Sequence, residues 1–144
     1  MALILLAVLV GLMLPIQAGV NAQLRLSVGH PLTTAFVSFA VGTVALAALI
    51  LLARVPLPSM RVATAAPAWH WIGGLLGAAY IAAAVVLAPR LGAATMIASV
   101  VMGQMLASLL LDHFGWVGFA VHPVSLARLA GAAMVILGVI LIRR

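Results

Sequence analysis

The stretch from Trp69 to Asp112, WHWIGGLLGAAYIAAAVVLAPRLGAATMIASVVMGQMLASLLLD, decides the fold class. It holds two apolar runs, each long enough to cross a bilayer as a helix of about 20 residues. Only Pro89, Arg90, Leu91 and Gly92 join them. So short a joint predicts an antiparallel helical hairpin inside the membrane. The same stretch carries the chain's closest-packing small-residue face and part of its polar inventory at membrane depth.

Working outward, the composition points the same way. The chain is 67% hydrophobic and 6% charged, far below the roughly 25% charged residues of soluble domains. Its charges leave four long uncharged runs, Met1 to Leu24, Leu26 to Ala53, Val62 to Pro89 and Leu91 to Leu111. Each exceeds the roughly 18 apolar residues that suggest a transmembrane helix. A fifth run, Leu129 to Ile142, spans only if it begins near Val124 and carries Arg128 in its first turn, where the long side chain can snorkel to headgroups. The expected architecture is an all-α integral membrane bundle of five transmembrane helices in one domain, 1–144. The helices fall at about 2–23, 32–52, 69–88, 93–111 and 124–142. Five such helices leave room for loops and for no soluble domain.

The net charge of +6 comes from seven arginines against Asp112 alone. These arginines sit at span ends, where lipid phosphates await them, and form no face for nucleic acid. With no cysteine there is no disulfide framework and no thiolate metal site. Val20-Asn21-Ala22 resembles a signal-cleavage site, but no Lys or Arg precedes the apolar run, so it reads as the first helix.

In that helix Pro15 removes a backbone donor at mid-depth. Gln17 and Asn21 follow, four residues apart and so on one face. Amides are costly against lipid, so this face turns inward, either as helix-to-helix glue or as the lining of a substrate path. Helix two opens at Pro31, and its Ser38 and Gly42 share a face. Trp69, His70 and Trp71 start helix three at the interface, as indoles prefer. Behind them Gly73 and Gly77 form a small-residue strip with Tyr80 along it, whose hydroxyl needs a partner.

Helix four offers a small face, Thr95, Ser99, Gly103 and Ala107, and beside it Gln104, Ser108 and Asp112. Gln104 lies near mid-span, where an unpaired amide costs several kcal/mol in hydrocarbon, so it must meet protein or water. Asp112 and His113 lie at the span's end, as a solvated interfacial pair or as a candidate proton-coupling pair. Phe114 to His122 is too short to cross and reads as an interfacial or re-entrant loop. Ser125 is placed to cap helix five, whose Gly131 and Gly138 mark a further packing strip. No phosphate loop, no HExxH zinc spacing and no acid–base pair of carboxylates occurs, so neither an enzyme nor a cofactor is expected.

Five spans set the termini on opposite sides. Arg54, Arg61 and Arg128 then accompany the N-terminus, and Arg25, Arg90, Arg143 and Arg144 lie opposite. Three against four is a weak positive-inside signal. A chain that inserts both ways can pair as an antiparallel homodimer, the inverted geometry on which alternating-access transport is built.

GLMLPIQAGVNAQL (11–24), GHPLTTAFVSFAVGT (29–43), WIGGLLGAAYIAAAVVLAPRLGAATMIASVVMGQMLASLLLDHFG (71–115) and RLAGAAMVILGVILI (128–142) together resemble the YdcZ-like family of small bacterial inner-membrane proteins. That family is placed in the drug/metabolite transporter superfamily. The resemblance covers nearly the whole chain and is most specific at Gly103-Gln104, at Asp112-His113-Phe114-Gly115 and at the Gln17 and Asn21 pair. It implies five helices, dimers of opposed subunits or fused ten-helix versions, and an exporter of a small molecule. Paired-gene members imply heterodimers with a paralogue. The related small multidrug resistance proteins exchange protons for cationic drugs on a glutamate in their first helix, whereas this chain has no glutamate and offers Gln17 and Asn21 there. Neutral or weakly polar substrates follow. The leading reading is a dimeric, multi-pass transporter whose path is lined by Gln17, Asn21, Tyr80 and Gln104, with the bilayer and a second subunit as partners. The alternative is a membrane interaction protein whose polar residues only lock helices together.

Overall fold

The computed structural model describes residues 1–143, the side chain of Ala63 excepted. Arg144, counted above among the arginines opposite the N-terminus, lies outside the described residues. The described elements are helical throughout: α1 Ala2–Val28, α2 Pro31–Leu52, α3 Met60–Ala65, a 3-10 turn Ala68–Trp71 leading into α4 Ile72–Leu91, α5 Ala93–Phe114, a second 3-10 turn Trp116–Gly118, and α6 Leu126–Ile142. Among the described residues four helices are long and apolar enough to cross a membrane: α1, α2, Ala68–Leu91 and α5. Helix α6, at 17 residues, is shorter. At about 1.5 Å per residue it measures about 25 Å against a hydrocarbon core of about 30 Å.

Where the boundaries differ from expectation, local chemistry explains it. The first helix does not end at Gln23 but runs through Val28. No breaker intervenes before Gly29, which takes a φ of 82°, and Arg25 in the last turn faces the negative end of the helix dipole. Helix α2 does begin on Pro31, and its cap is His30, whose Nδ1 accepts from the Leu32 N–H at 3.2 Å. The Thr34 hydroxyl donates back to the His30 carbonyl at 3.0 Å. The expected four-residue joint after helix three shrinks to one residue. Pro89 is absorbed into the last turn of α4, and Gly92 alone separates α4 from α5 with φ 77° and ψ 154°, a conformation that side chains disfavour.

Helix α6 starts at Leu126, not Val124, because Ser125 is its N-cap: the Ser125 hydroxyl accepts from the Arg128 N–H at 3.3 Å. Replacing Ser125 by Ala removes that acceptor and is expected to cost about 1 kcal/mol. A small fall in the thermal midpoint in detergent, with helix content retained, is the readout.

The chain divides into two compact units, one formed by Ile16–Pro89 and the other by Met1–Pro15 with the residues from Arg90 onward. In the Ile16–Pro89 unit, α2 and α4 meet through Ala35, Ile81 and Val85, with Tyr80 and Ala82 packed against them. Gly77 admits the Phe39 ring, whose Cζ lies 3.2 Å from where a Cβ would stand. Beside this contact is a cleft of about 340 Å³ with Leu32, Phe36 and Phe39 on one wall and Ala78, Ala79 and Ala82 on the other.

In the other unit α5 and α6 lie side by side, and the residues they bring together give their direction. Met105, Ser108 and Leu109 share a small cleft with Arg128, Gly131 and Ala132. Ala94, Ile97 and Val101 share another, of about 440 Å³, with Val135, Gly138 and Val139. Early α5 thus meets late α6, so the two helices are antiparallel.

Candidate functional site

Three of the four path residues belong to the Ile16–Pro89 unit. Along the second half of α1 the covered line is Ala18, Asn21, Arg25 and Val28, the i, i+3, i+7, i+10 spacing of one helix face. Asn21 is on that line and buried, whereas Gln17 lies one residue off it and is exposed. Asn21 makes no hydrogen bond among the described residues, yet no fully buried side-chain nitrogen or oxygen there lacks a partner. Its amide therefore keeps an open edge. Tyr80 is half-buried against the α2–α4 contact, with its hydroxyl likewise free of hydrogen bonds among the described residues.

Gln104, the fourth, belongs to the α5–α6 unit. It is exposed, and Gly103 to Ser108 around it are exposed as well. No hydrogen bond joins any two of the four residues among those described. Of the glycines expected to support close packing, Gly77 receives a neighbour, the Phe39 ring. A Cβ at Gly73, Gly103, Gly131 or Gly138 would meet nothing within 4 Å.

The most elaborate polar arrangement lies at the far end of the α5–α6 hairpin. Arg128 donates from Nη2 to Asp112 Oδ2, an ion pair, and from Nη1 to the His122 carbonyl at 2.6 Å. The His122 N–H donates to the Asp112 carbonyl at 2.8 Å. His113 Nδ1 accepts from the Val124 N–H at 3.2 Å. The C-terminal end of the loop between the helices is thus pinned to the last turn of α5.

Three residues with left-handed backbone shape that loop. Gly115 and Gly118 take φ of 64° and 84°, and Val117, which is not a glycine, takes 58°. Phe114 and Trp116 stack with ring centroids 4.8 Å apart, and His113 meets Phe114 edge-on at 4.7 Å. The segment read as an interfacial or re-entrant loop is a folded cap whose Phe114, Trp116, Val117, Phe119 and Val121 remain exposed. Above it opens a cleft of about 490 Å³ lined by Asp112, His122, Pro123 and Arg128.

Asp112 and His113 lie in the last turn of α5, whereas Arg128, expected at the lipid headgroups, turns to Asp112 instead. The missed signal is arithmetic. One carboxylate and one arginine flank the same loop, and an arginine inside the start of an apolar helix is far better paired than alone.

Four long apolar helices, among described elements that are all helical, mark a membrane protein. More narrowly, the chain belongs to the YdcZ family, since the family model described as "Putative inner membrane exporter, YdcZ" matches residues 2–141. No curated protein and no solved structure matches it.

Proposed function

We propose that the protein exports a small molecule across the bacterial inner membrane by alternating access at the interface of two subunits inserted in opposite orientations. Each subunit contributes five crossing helices. The short α6 crosses because the bilayer thins locally and because its one charge near the start, Arg128, is neutralised by Asp112.

The observation that carries the reading is Gln104, an exposed amide near the centre of an apolar 22-residue helix. In hydrocarbon such a group costs several kcal/mol unless protein or water satisfies it. Family membership in an exporter group supplies the activity class, and the near balance of arginines between the two sides supports dual insertion. Gln17, Asn21 and Tyr80 supply further polar groups for the path, without hydrogen bonds among the described residues. The absence of glutamate and the engagement of Asp112 by Arg128 favour a neutral or weakly polar substrate over a cation. Asp112 and His113 are the candidate coupling pair of this path, with Arg128 engaging the carboxylate.

Flux into proteoliposomes across a panel of neutral and cationic solutes tests the reading. Gln104→Leu is expected to lower the flux of a transported solute about tenfold or more, a loss of about 1.4 kcal/mol in the transport barrier, with the dimer intact. A folded dimer that moves no solute of the panel supports instead an interaction protein whose amides only lock helices.

A further inference from the structure

We infer that the central face of α5 is where the two subunits meet, with Gln104 of one copy against Gln104 of the other. This rests on the dimer proposed above and specifies its contact.

The first premise is a free face. Helix α5 spans Ala93–Phe114, and its α6-facing stripe runs through Ala98, Val101, Met105, Leu109 and Asp112. Each residue turns about 100°, which puts Val100, Gly103 and Ala107 on the opposite side, with Val100 half-buried, and sets Gln104 and Leu111 at the edge of that side. There Gly103, Gln104 and Ala107 are exposed, and a Cβ at Gly103 meets nothing within 4 Å.

The second premise is chemical. An exposed carboxamide at mid-depth carries both donors and an acceptor, so it is satisfied by a group of the same kind. Flanking Gly and Ala let two backbones approach closely enough for the amides to meet.

The third premise is positional. The midpoint of α5 falls between Gly103 and Gln104. Two identical helices related by a two-fold axis in the membrane plane cross at equivalent points, and only residues near that midpoint meet their own copies. Reciprocal amide bonds across such an axis join Gln104 to Gln104. No other exposed carboxamide of the chain occupies the middle of its helix: Gln17 lies beyond the centre of α1, and Gln23 near its end. The pair places two amides, one from each subunit, at the centre of the proposed path, which neither copy completes alone.

The chain contains no cysteine, so single-cysteine variants report directly. Oxidation of inner-membrane vesicles with copper phenanthroline should convert most of Gln104→Cys and Gly103→Cys into disulfide dimers. Facing Cα atoms of closely packed helices fall within the roughly 4.4–6.8 Å a disulfide requires. Val100→Cys and Ala107→Cys should each stay monomeric, because antiparallel copies hold either residue about 10 Å from itself along the axis. Co-expressed, the two should cross-link to each other.

Self-linking at 100, 104 and 107 alike would mean parallel helices and overturn the inference. Gly103→Cys keeps Gln104 in place, so its failure to link while light scattering in detergent still reports a dimer overturns this contact alone. A monomeric mass for the unmodified protein, with no links anywhere, removes the proposed dimer as well.

Discussion

Arg128→Leu is expected to destabilise the protein by about 2 kcal/mol, and the double variant Asp112→Leu/Arg128→Leu by distinctly less. The single change leaves the Asp112 carboxylate without its ion pair and the His122 carbonyl without its donor. Removing one partner of a buried charge pair costs about 3–5 kcal/mol. Here the Arg128 and Asp112 side chains remain 33% and 25% exposed, so water recovers part of that loss and the smaller figure holds. The double variant leaves no orphaned charge, and a matched apolar pair at such a site is often close to neutral. Arg128→Lys should fall between wild type and Arg128→Leu, since a single ammonium lacks the planar fork that engages a carboxylate and a carbonyl together. Thermal midpoints of the four proteins in one detergent provide the check. Equal losses in the single and double leucine variants would show that the pair contributes through packing of the arginine stem and not through charge.

That clasp also marks the limit of what the chain reveals before folding. The four long helices are legible because uncharged apolar runs have few alternatives in a membrane protein, and the start of α2 at Pro31 and the cap at Ser125 follow from local rules. The ends are less so. The first helix is expected to stop near Gln23, before Arg25, yet an arginine at the last turn of a helix is favourable, and the true stop is Gly29. The amides at Gln17 and Asn21 share a face by spacing, but the roughly 40° between them separates covered from exposed. Periodicity sets angles around a helix and does not decide which angle a neighbour occupies. Asp112 and Arg128 stand 16 residues apart, and no helical or strand period links them. Their meeting depends on the path of the intervening loop, and that path depends on left-handed backbone turns.

Gly115 sets the first of those turns, and Gly115→Val is expected to be the most damaging single change in the loop, at about 2–4 kcal/mol. Two costs combine. The residue closes α5 in the left-handed region, with φ 64° and ψ 27°, where an ordinary side chain costs about 1–2 kcal/mol and a β-branched one is less tolerated still. A Cβ there would also stand 2.7 Å from Val121 Cγ2 and 3.4 Å from the Phe119 carbonyl. The rigid backbone at Phe119 leaves Val121 as the group that must move, and moving it disturbs the adjoining His122, which binds both Asp112 and Arg128. Gly115→Ala separates the two costs, because Gly115→Ala/Val121→Ala removes the clash and keeps the backbone penalty. The double variant should therefore melt above the single one and below Val121→Ala. Val117 provides the opposite control: it already holds a φ of 58°, so Val117→Gly relieves backbone strain and should destabilise far less than Gly115→Ala. If Val117→Gly is the worse of the two, the loop is held by the exposed apolar side chains of its surface, and the backbone turns are not what set its shape.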